Sequence, residues 1–202
     1  MPDPISRREF LQSGSVAVAA LGASGETAAA AAAEPSAAAM RARVKIKVNG
    51  TVHAADLESR VTLLDYLHDR LALTGTRKGC NEGACGTCTV LIDGKRMNAC
   101  LTLAAQCDGR EVMTVEGIAQ GDRLHPVQQA FIDHDAFQCG YCTSGQIISA
   151  VACIEEGHAG SEVEVREWMS GNLCRCSCYP QITAAVLDAA GRVKDARKER
   201  QS

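Results

Sequence analysis

The chain has 202 residues, of which 21 are basic and 24 are acidic, so its formal net charge is −3 at pH 7. This near balance excludes the strongly basic surface typical of nucleic-acid binding, so no nucleic-acid partner is expected. Aromatic residues make up only 3% of the chain and cysteines number 11, so we expect small aliphatic cores that metal ligation helps to stabilise.

The first segment resembles an export signal of the twin-arginine type. The pair Arg7-Arg8 precedes a Phe-Leu pair, a mildly apolar stretch follows, and an alanine-rich run comes next at residues 28–33. The apolar stretch is too short to span a bilayer, and this order of features is typical of a cleavable signal. We therefore predict that residues 1–40 are a signal peptide with an alanine-rich linker, that the protein is periplasmic, and that it has no membrane span. The alternative is an alanine-rich tail in which the paired arginines occur by chance.

Residues 42–117 show the pattern of a small α+β domain. Apolar and basic residues alternate from Val44 to Val48, which predicts a half-buried strand, and Asn49-Gly50 favours a tight hairpin turn. Leucines at helical spacing between residues 63 and 71 predict a helix with Thr62 as its N-cap. Further strands are predicted at 51–53, 89–92 and 111–115, with a second turn at 93–94.

A cysteine-rich loop follows the predicted helix of this domain. Its cysteines have the pattern C-x4-C-x2-C with a fourth cysteine soon after, which is the plant-type spacing for a [2Fe–2S] cluster. They are Cys80, Cys85, Cys88 and Cys100. Glycines in the loop let the backbone wrap closely, so that N–H groups can point at the sulfurs.

After Gly121 the pattern becomes helical, and we predict a second domain over residues 122–195. Apolar residues at helical spacing predict four short helices that pack as a bundle. The first begins with Pro126, and the second opens at Thr143 or Ser144. The apolar positions lie at 127–131, 147–154, 163–168 and 182–189. Residues 196–202 are predicted to be a charged tail.

A second set of four cysteines falls in the turns between these helices: Cys139, Cys142, Cys174 and Cys176. If the helices pair as antiparallel hairpins, both turns meet at one end of the bundle and form a four-thiolate site. The starts of the second and fourth helices would then direct partial positive charge at an anionic cluster. On spacing alone, two structural zinc sites or disulfides remain alternatives, although a C-x4-C-x2-C loop is less typical of zinc.

Three motifs together give the chain a family resemblance. They are Gly79-Cys80-x-Glu82-Gly83-x-Cys85-Gly86-x-Cys88, Gln138-Cys139-Gly140-Tyr141-Cys142 and Asn172-Leu173-Cys174-Arg175-Cys176. With the stretch His125–Phe131, they resemble the iron–sulfur subunit of the xanthine oxidase family of molybdenum hydroxylases, over about residues 44–193. Combined with the export signal, the chain is similar to the small subunit of a periplasmic aldehyde oxidoreductase.

The resemblance implies a β-grasp, plant-ferredoxin-like domain followed by a four-helix bundle. It implies two [2Fe–2S] clusters on this chain, a molybdopterin-type cofactor on a large partner subunit and FAD on a medium partner subunit. Electrons would pass from the molybdenum site to the cluster of the helical domain, then to that of the ferredoxin-like domain, and then to FAD. The chain alone would perform no substrate chemistry, and no catalytic residue is assigned to it.

The resemblance also implies roles for single residues. The first four cysteines would hold the cluster nearer the flavin and the second four the cluster nearer molybdenum, while Gln138 and the ligand Cys176 would contact the pterin. The sequence departs from the family at Ser177-Cys178, where relatives usually have Thr-Gly. A further thiol therefore stands beside the second set, and we expect Cys178 to be unligated.

The function expected from the resemblance is electron transfer during the oxidation of aldehydes to carboxylic acids. An N-heteroaromatic or purine substrate is the alternative within the family. The rival from another class is an independent ferredoxin that shuttles between partners, although such a carrier needs only one cluster.

Overall fold

The structure is a computed structural model, and it describes residues 40–199. The predicted signal peptide and nearly all of its alanine-rich linker lie outside the described residues. No helix within the described range is both long and apolar enough to cross a membrane.

The described residues form five β-strands and five α-helices. The strands are β1 (Arg41–Val48), β2 (Thr51–Glu58), β3 (Thr89–Ile92), β4 (Lys95–Asn98) and β5 (Glu111–Met113). The α-helices are α1 (Leu63–Asp69), α2 (Pro126–Asp133), α3 (Thr143–Glu155), α4 (Glu162–Trp168) and α5 (Tyr179–Glu199). Two short 3₁₀ helices lie at Ala104–Cys107 and Val115–Gly117.

The strands form one mixed sheet in the order β2-β1-β5-β3-β4. β1 and β5 are parallel and every other neighbouring pair is antiparallel. At the predicted first hairpin, Asn49 and Gly50 have φ values of 49° and 84°, as a tight turn with two left-handed residues requires. The last predicted strand is shorter than expected, because β5 ends at Met113 and Val115 starts a 3₁₀ helix.

Helix α1 begins as predicted and ends early. The hydroxyl of Thr62 accepts a hydrogen bond from the backbone N–H of Asp65 at 3.1 Å, which caps the first turn. At the other end Ala72 has a φ of 55°, and the N–H of Leu73 donates to the carbonyl of Leu67 at 2.9 Å. The chain turns away after Arg70, so Leu71 lies beyond the end of the helix, although the leucine spacing predicts it inside.

Strand β3 connects the two halves of the fold because it is buried on both faces. Val90 and Ile92 are fully buried in the core between the sheet and α1. Leu91 points to the opposite face and belongs to the core formed by α2, α3, α4 and α5. Helix α3 contacts β3 directly, so the four helices share a core that rests against the sheet.

A cluster of polar and aromatic side chains further joins the sheet to the helices. The guanidinium of Arg96 on β4 donates to the carbonyl oxygen of Trp168 at 2.8 Å and to the Glu156 carboxylate at 3.2 Å. It also lies 5.5 Å from the centre of the Trp168 ring, whose Nε1–H donates to Glu156 at 2.6 Å. The imidazole of His158 packs on the same indole, with 3.8 Å between the two ring centres.

Helices α2 and α5 are held by caps and ion pairs. The Nδ1 of His125 accepts from the N–H of Val127 at 3.2 Å, and the Gln128 side chain accepts from the N–H of His125 at 2.9 Å. Arg192 on α5 pairs with Asp188 and with Asp133 at the end of α2, each at 2.6 Å. Helix α5 continues to Glu199, past residue 196 where the charged tail is predicted to start.

Candidate metal centres

The first four cysteines meet where the loop after α1 passes the β3–β4 hairpin. Cys88 precedes β3 and Cys100 follows β4, and the N–H of Ala99 donates to the carbonyl of Cys88 at 3.2 Å. The hairpin therefore returns Cys100 to the side of Cys88, where the two buried thiols contact each other. Cys80 and Cys85 are half-buried, and the N–H of Cys80 donates to the sulfur of Cys85 at 3.4 Å.

At Gly79 and Gly86 the backbone of this loop passes too close to its neighbours to leave space for a side chain. A Cβ on Gly79 would lie 2.8 Å from the sulfur of Cys85. Gly86 has a φ of 68°, and a Cβ there would lie 2.4 Å from the carbonyl oxygen of Gly171. The loop therefore approaches both its own sulfurs and the second cysteine loop more closely than a side chain permits.

The thiols of the first site differ in how readily they lose a proton. The N–H of Glu82 donates to the sulfur of Cys80 at 3.4 Å, and together with the neighbouring Cys85 it lowers the pKa of Cys80 to about 7. Burial raises the pKa of the Cys88 thiol to about 12. Because metal ions bind thiolates, binding here must displace at least the proton of Cys88.

The second four cysteines lie in two turns between the helices. Cys139 and Cys142 lie between α2 and α3, and Cys174 and Cys176 lie between α4 and α5. Their thiols contact in two pairs, Cys139 with Cys176 and Cys142 with Cys174. Burial raises the pKa of Cys142 to about 12.

Cys178 lies beside the second site. Its N–H donates to the sulfur of Cys174 at 3.4 Å, and its thiol also contacts Cys174. The left-handed φ of 62° at Ser177 turns the chain so that this N–H faces the sulfur. That Cys178 is unligated stays a prediction.

In the part of the chain that the structure describes, no group of three or more Cys, His, Asp or Glu side chains is arranged to hold a metal ion. The cysteines instead lie in four pairs: Cys80 with Cys85, Cys88 with Cys100, Cys139 with Cys176, and Cys142 with Cys174. A [2Fe–2S] cluster takes four thiolates, two on each iron, so two pairs per site match this donor set. The hydroxyls of Thr143 and Ser144, at the start of α3 directly after Cys142, are buried without a hydrogen-bond partner. They are donors that cluster sulfurs would accept, so the residues fit such a group at the second site.

The two sites are joined by direct hydrogen bonds. The N–H of Leu173, which precedes Cys174, donates to the carbonyl oxygen of Cys85 at 2.9 Å. The hydroxyl of Tyr141 donates to the carbonyl oxygen of Lys78 at 2.8 Å. The loops that carry the two sets of cysteines therefore touch each other directly, which the sequence does not predict.

Two buried amide side chains lie at this junction, and the sequence does not predict their hydrogen bonds. Asn172 donates from Nδ2 to the carbonyl oxygen of Gly86 at 2.8 Å, and Gln146 donates from Nε2 to the carbonyl oxygen of Asn172 at 2.8 Å. The only signals in the sequence are a polar residue inside the apolar run of α3 and an asparagine two residues before the C-x-C pair.

Gln138 and Cys176, the residues expected to contact a pterin, lie toward the surface. Gln138 is exposed and Cys176 is half-buried. Exposed apolar side chains flank the second set of cysteines along the chain, and they are Phe137, Tyr141, Leu173 and Tyr179. Nothing in the structure tests the pterin contact, which stays a prediction.

Two protein families match this chain. The family described as "2Fe-2S iron-sulfur cluster binding domain" matches residues 41–138. The family described as "[2Fe-2S] binding domain" matches residues 114–187. Both matches favour iron–sulfur clusters over zinc or disulfides.

Whole relatives are similar over most of their length. The aldehyde oxidoreductase iron–sulfur-binding subunit PaoA of Escherichia coli O157:H7 is 46% identical, over 94% of this chain and 90% of that protein. The nicotine 6-hydroxylase small subunit of Paenarthrobacter nicotinovorans is 46% identical, over 76% of this chain and 92% of that protein. The crystal structure of quinoline 2-oxidoreductase from Pseudomonas putida 86 contains a chain with 45% identity and a TM-score of 0.69, over 75% of this chain and 97% of that one.

Proposed function

This chain belongs to the iron–sulfur subunits of the xanthine oxidase family of molybdenum hydroxylases, and we propose that it carries electrons within such a complex. The electrons come from a molybdopterin site on a large subunit and leave to FAD on a medium subunit. Two [2Fe–2S] clusters on this chain supply the one-electron chemistry, and they are held by Cys139, Cys142, Cys174 and Cys176 and by Cys80, Cys85, Cys88 and Cys100.

The observation that carries the proposal is the direct contact between the two cysteine loops. The N–H of Leu173, the residue before the proposed ligand Cys174, donates to the carbonyl oxygen of Cys85 at 2.9 Å. Cys85 is a proposed ligand of the other cluster. An independent carrier with one cluster has no need of a second four-cysteine site in contact with the first. The chain's own residues therefore do what a relay requires: they hold both sites at a fixed separation inside a shared fold.

The substrate class proposed for the complex is an aldehyde, which is oxidised to a carboxylic acid. The PaoA relative, named as a subunit of an aldehyde oxidoreductase and matched along 94% of this chain, supports this choice. An N-heteroaromatic substrate is the second candidate, because the relative named for nicotine hydroxylation is equally identical over a shorter stretch. The substrate site belongs to a different subunit in either case.

We further propose the finer assignments of fold and location. The sheet with α1 is a β-grasp domain over residues 42–117, and the remaining helices are a four-helix bundle over residues 122–195. Residues 1–40 are a twin-arginine signal peptide and linker, so the folded protein would reach the periplasm with its clusters already inserted. The arginine pair before an apolar stretch supports this location.

The test is metal and cofactor analysis of the tagged chain purified anaerobically from its native host, after separation of periplasm and cytoplasm. We expect about four irons per chain, with molybdenum and flavin in the same fraction, and oxidation of aldehydes faster than of N-heteroaromatic compounds with a dye acceptor. Far fewer than four irons per chain would contradict the relay. Full iron without molybdenum or flavin would instead support the independent ferredoxin.

A further inference from the structure

The buried junction between the two cysteine loops is built from three backbone segments that touch without intervening side chains. A Cβ on Gly145 of α3 would lie 2.3 Å from the carbonyl oxygen of Gly86, and a Cβ on Gly86 would lie 2.4 Å from the carbonyl oxygen of Gly171. Each segment adjoins proposed cluster ligands. Gly86 follows Cys85, and Gly145 comes three residues after Cys142. The distance between the two sites is therefore set where these segments meet.

Asn172 hydrogen-bonds from the second cysteine loop to the first in the buried part of this junction, whereas Tyr141 does so on its exposed side. Asn172 is 6% exposed, and its Nδ2 donates to the Gly86 carbonyl at 2.8 Å and to the Thr89 hydroxyl at 3.2 Å. Its own carbonyl accepts from Gln146 of α3 at 2.8 Å. Its N–H donates to the carbonyl of Met169 at the end of α4 at 3.0 Å. One residue thus ties the first loop, α3 and α4 together.

We propose that Asn172 is a positioning residue that fixes the separation and orientation of the two clusters, with Gln146 as its support. This inference rests on the proposed function, because it requires both clusters to be present. The hydrogen bonds of Asn172 join it to Gly86, Thr89, Gln146 and Met169, so it acts on the loops and not as an iron ligand. Its side chain keeps the Gly86 carbonyl against the second loop, which maintains the adjacent hydrogen bond from Leu173 to Cys85. Without it, the first loop is held there by the backbone hydrogen bond from Leu173 and by the exposed hydrogen bond from Tyr141 to Lys78, and neither contacts Gly86.

The chain offers a matched control in Asn98. Its Nδ2 donates to the carbonyl oxygen of Gly83 at 3.1 Å, in the same cysteine loop, but it does so from β4 within the sheet domain. Asn98→Ala therefore removes a hydrogen bond of the same type from the same loop without touching the junction. A general effect on the loop would appear in both variants, whereas an effect on intercluster geometry would appear only in Asn172→Ala.

The experiment uses the complex purified with its partner subunits, carrying Asn172→Ala, Asn172→Asp, Gln146→Leu or Asn98→Ala. Each sample is analysed for iron and then reduced for electron paramagnetic resonance at low temperature. Two reduced clusters split each other's signals through a magnetic interaction that falls steeply with distance. We expect about four irons per chain in every variant, with the splitting reduced or lost in both Asn172 variants, weakened in Gln146→Leu and unchanged in Asn98→Ala.

Each remaining outcome contradicts the positioning role in a different way. Unchanged splitting in both Asn172 variants with full iron would show that the backbone alone fixes the clusters. Loss of iron in the Asn172 variants and in Gln146→Leu would show that these residues are needed to retain a cluster in the second site. They would then not be residues that only set its distance from the first site. Fewer than four irons in the unaltered complex would overturn the relay itself, so failure of the proposed function is distinguishable from failure of this inference.

Discussion

The substitution Gly145→Ala tests whether α3 and the first cysteine loop touch backbone to backbone. The added methyl would lie 2.3 Å from the carbonyl oxygen of Gly86 and 2.8 Å from that of Thr87. Both are main-chain atoms of a loop tied at its ends, so no flexible side chain can move aside. Helix α3 or the loop must shift instead.

The magnitude follows from a comparison with Gly191, in the exposed second half of α5. A Cβ at Gly191 meets nothing within 4 Å, so Gly191→Ala should stabilise the protein by the helix-propensity gain of about 0.5–1 kcal/mol. Gly145→Ala gains at most the same amount and loses about 1–3 kcal/mol through overpacking. The free energies of unfolding of the two variants should therefore differ by about 1–3 kcal/mol, or roughly 3–9 °C in the unfolding midpoint.

The assay is thermal unfolding of the reconstituted chain followed by far-ultraviolet circular dichroism, with iron content matched between variants. The midpoint should fall for Gly145→Ala relative to Gly191→Ala. If the unfolding midpoints of both variants rise by the same amount, the close contact between α3 and the cysteine loop does not exist. The glycines then do not set the spacing of the two sites.

Three further predictions test other parts of the structure. Cys176→Ser should remove one of two cluster signals in electron paramagnetic resonance while Cys178→Ala leaves both, and the reverse result would reassign the ligand. Burial holds the pKa of His125 below its usual 6.5, so the free energy of unfolding should decline as pH falls below about 6.5. His125→Asn keeps a capping acceptor, and in urea titrations it should flatten that decline. An unchanged dependence on pH would show that other groups cause it. Arg96→Ala should lower the free energy of unfolding by about 1–2 kcal/mol because it breaks charged hydrogen bonds between the sheet and the helices. The control Arg110→Ala loses an exposed ion pair that is worth at most about 1 kcal/mol, and equal losses would mean that the Arg96 contacts do not join the sheet to the helices.

The sequence by itself determines the local structure of this protein and the chemistry of its sites. The alternation in β1, the Asn49-Gly50 turn, the Thr62 cap and the proline at the start of α2 are all read correctly, because each depends on interactions within a few residues. The cysteine spacing also predicts two four-thiol sites, since ligands close in sequence can converge only in a few ways. The sequence does not predict that α1 ends early, where Ala72 takes a left-handed conformation. It also does not predict the full length of α5, which an ion pair from Arg192 to Asp133 of α2 stabilises.

Only the tertiary structure decides how the two sites relate to each other. Asn172 is separated from Gly86 by 86 residues, and no pattern of apolar or charged positions encodes a hydrogen bond over that distance. The hydrogen bond forms because Leu91 packs the second face of β3 into the core of the helices, which places α3 against the cysteine loop. Local propensity fixes which residues can hold a cluster, whereas the packing of sheet against helices fixes how far apart two clusters lie, because that distance depends on every buried contact between them.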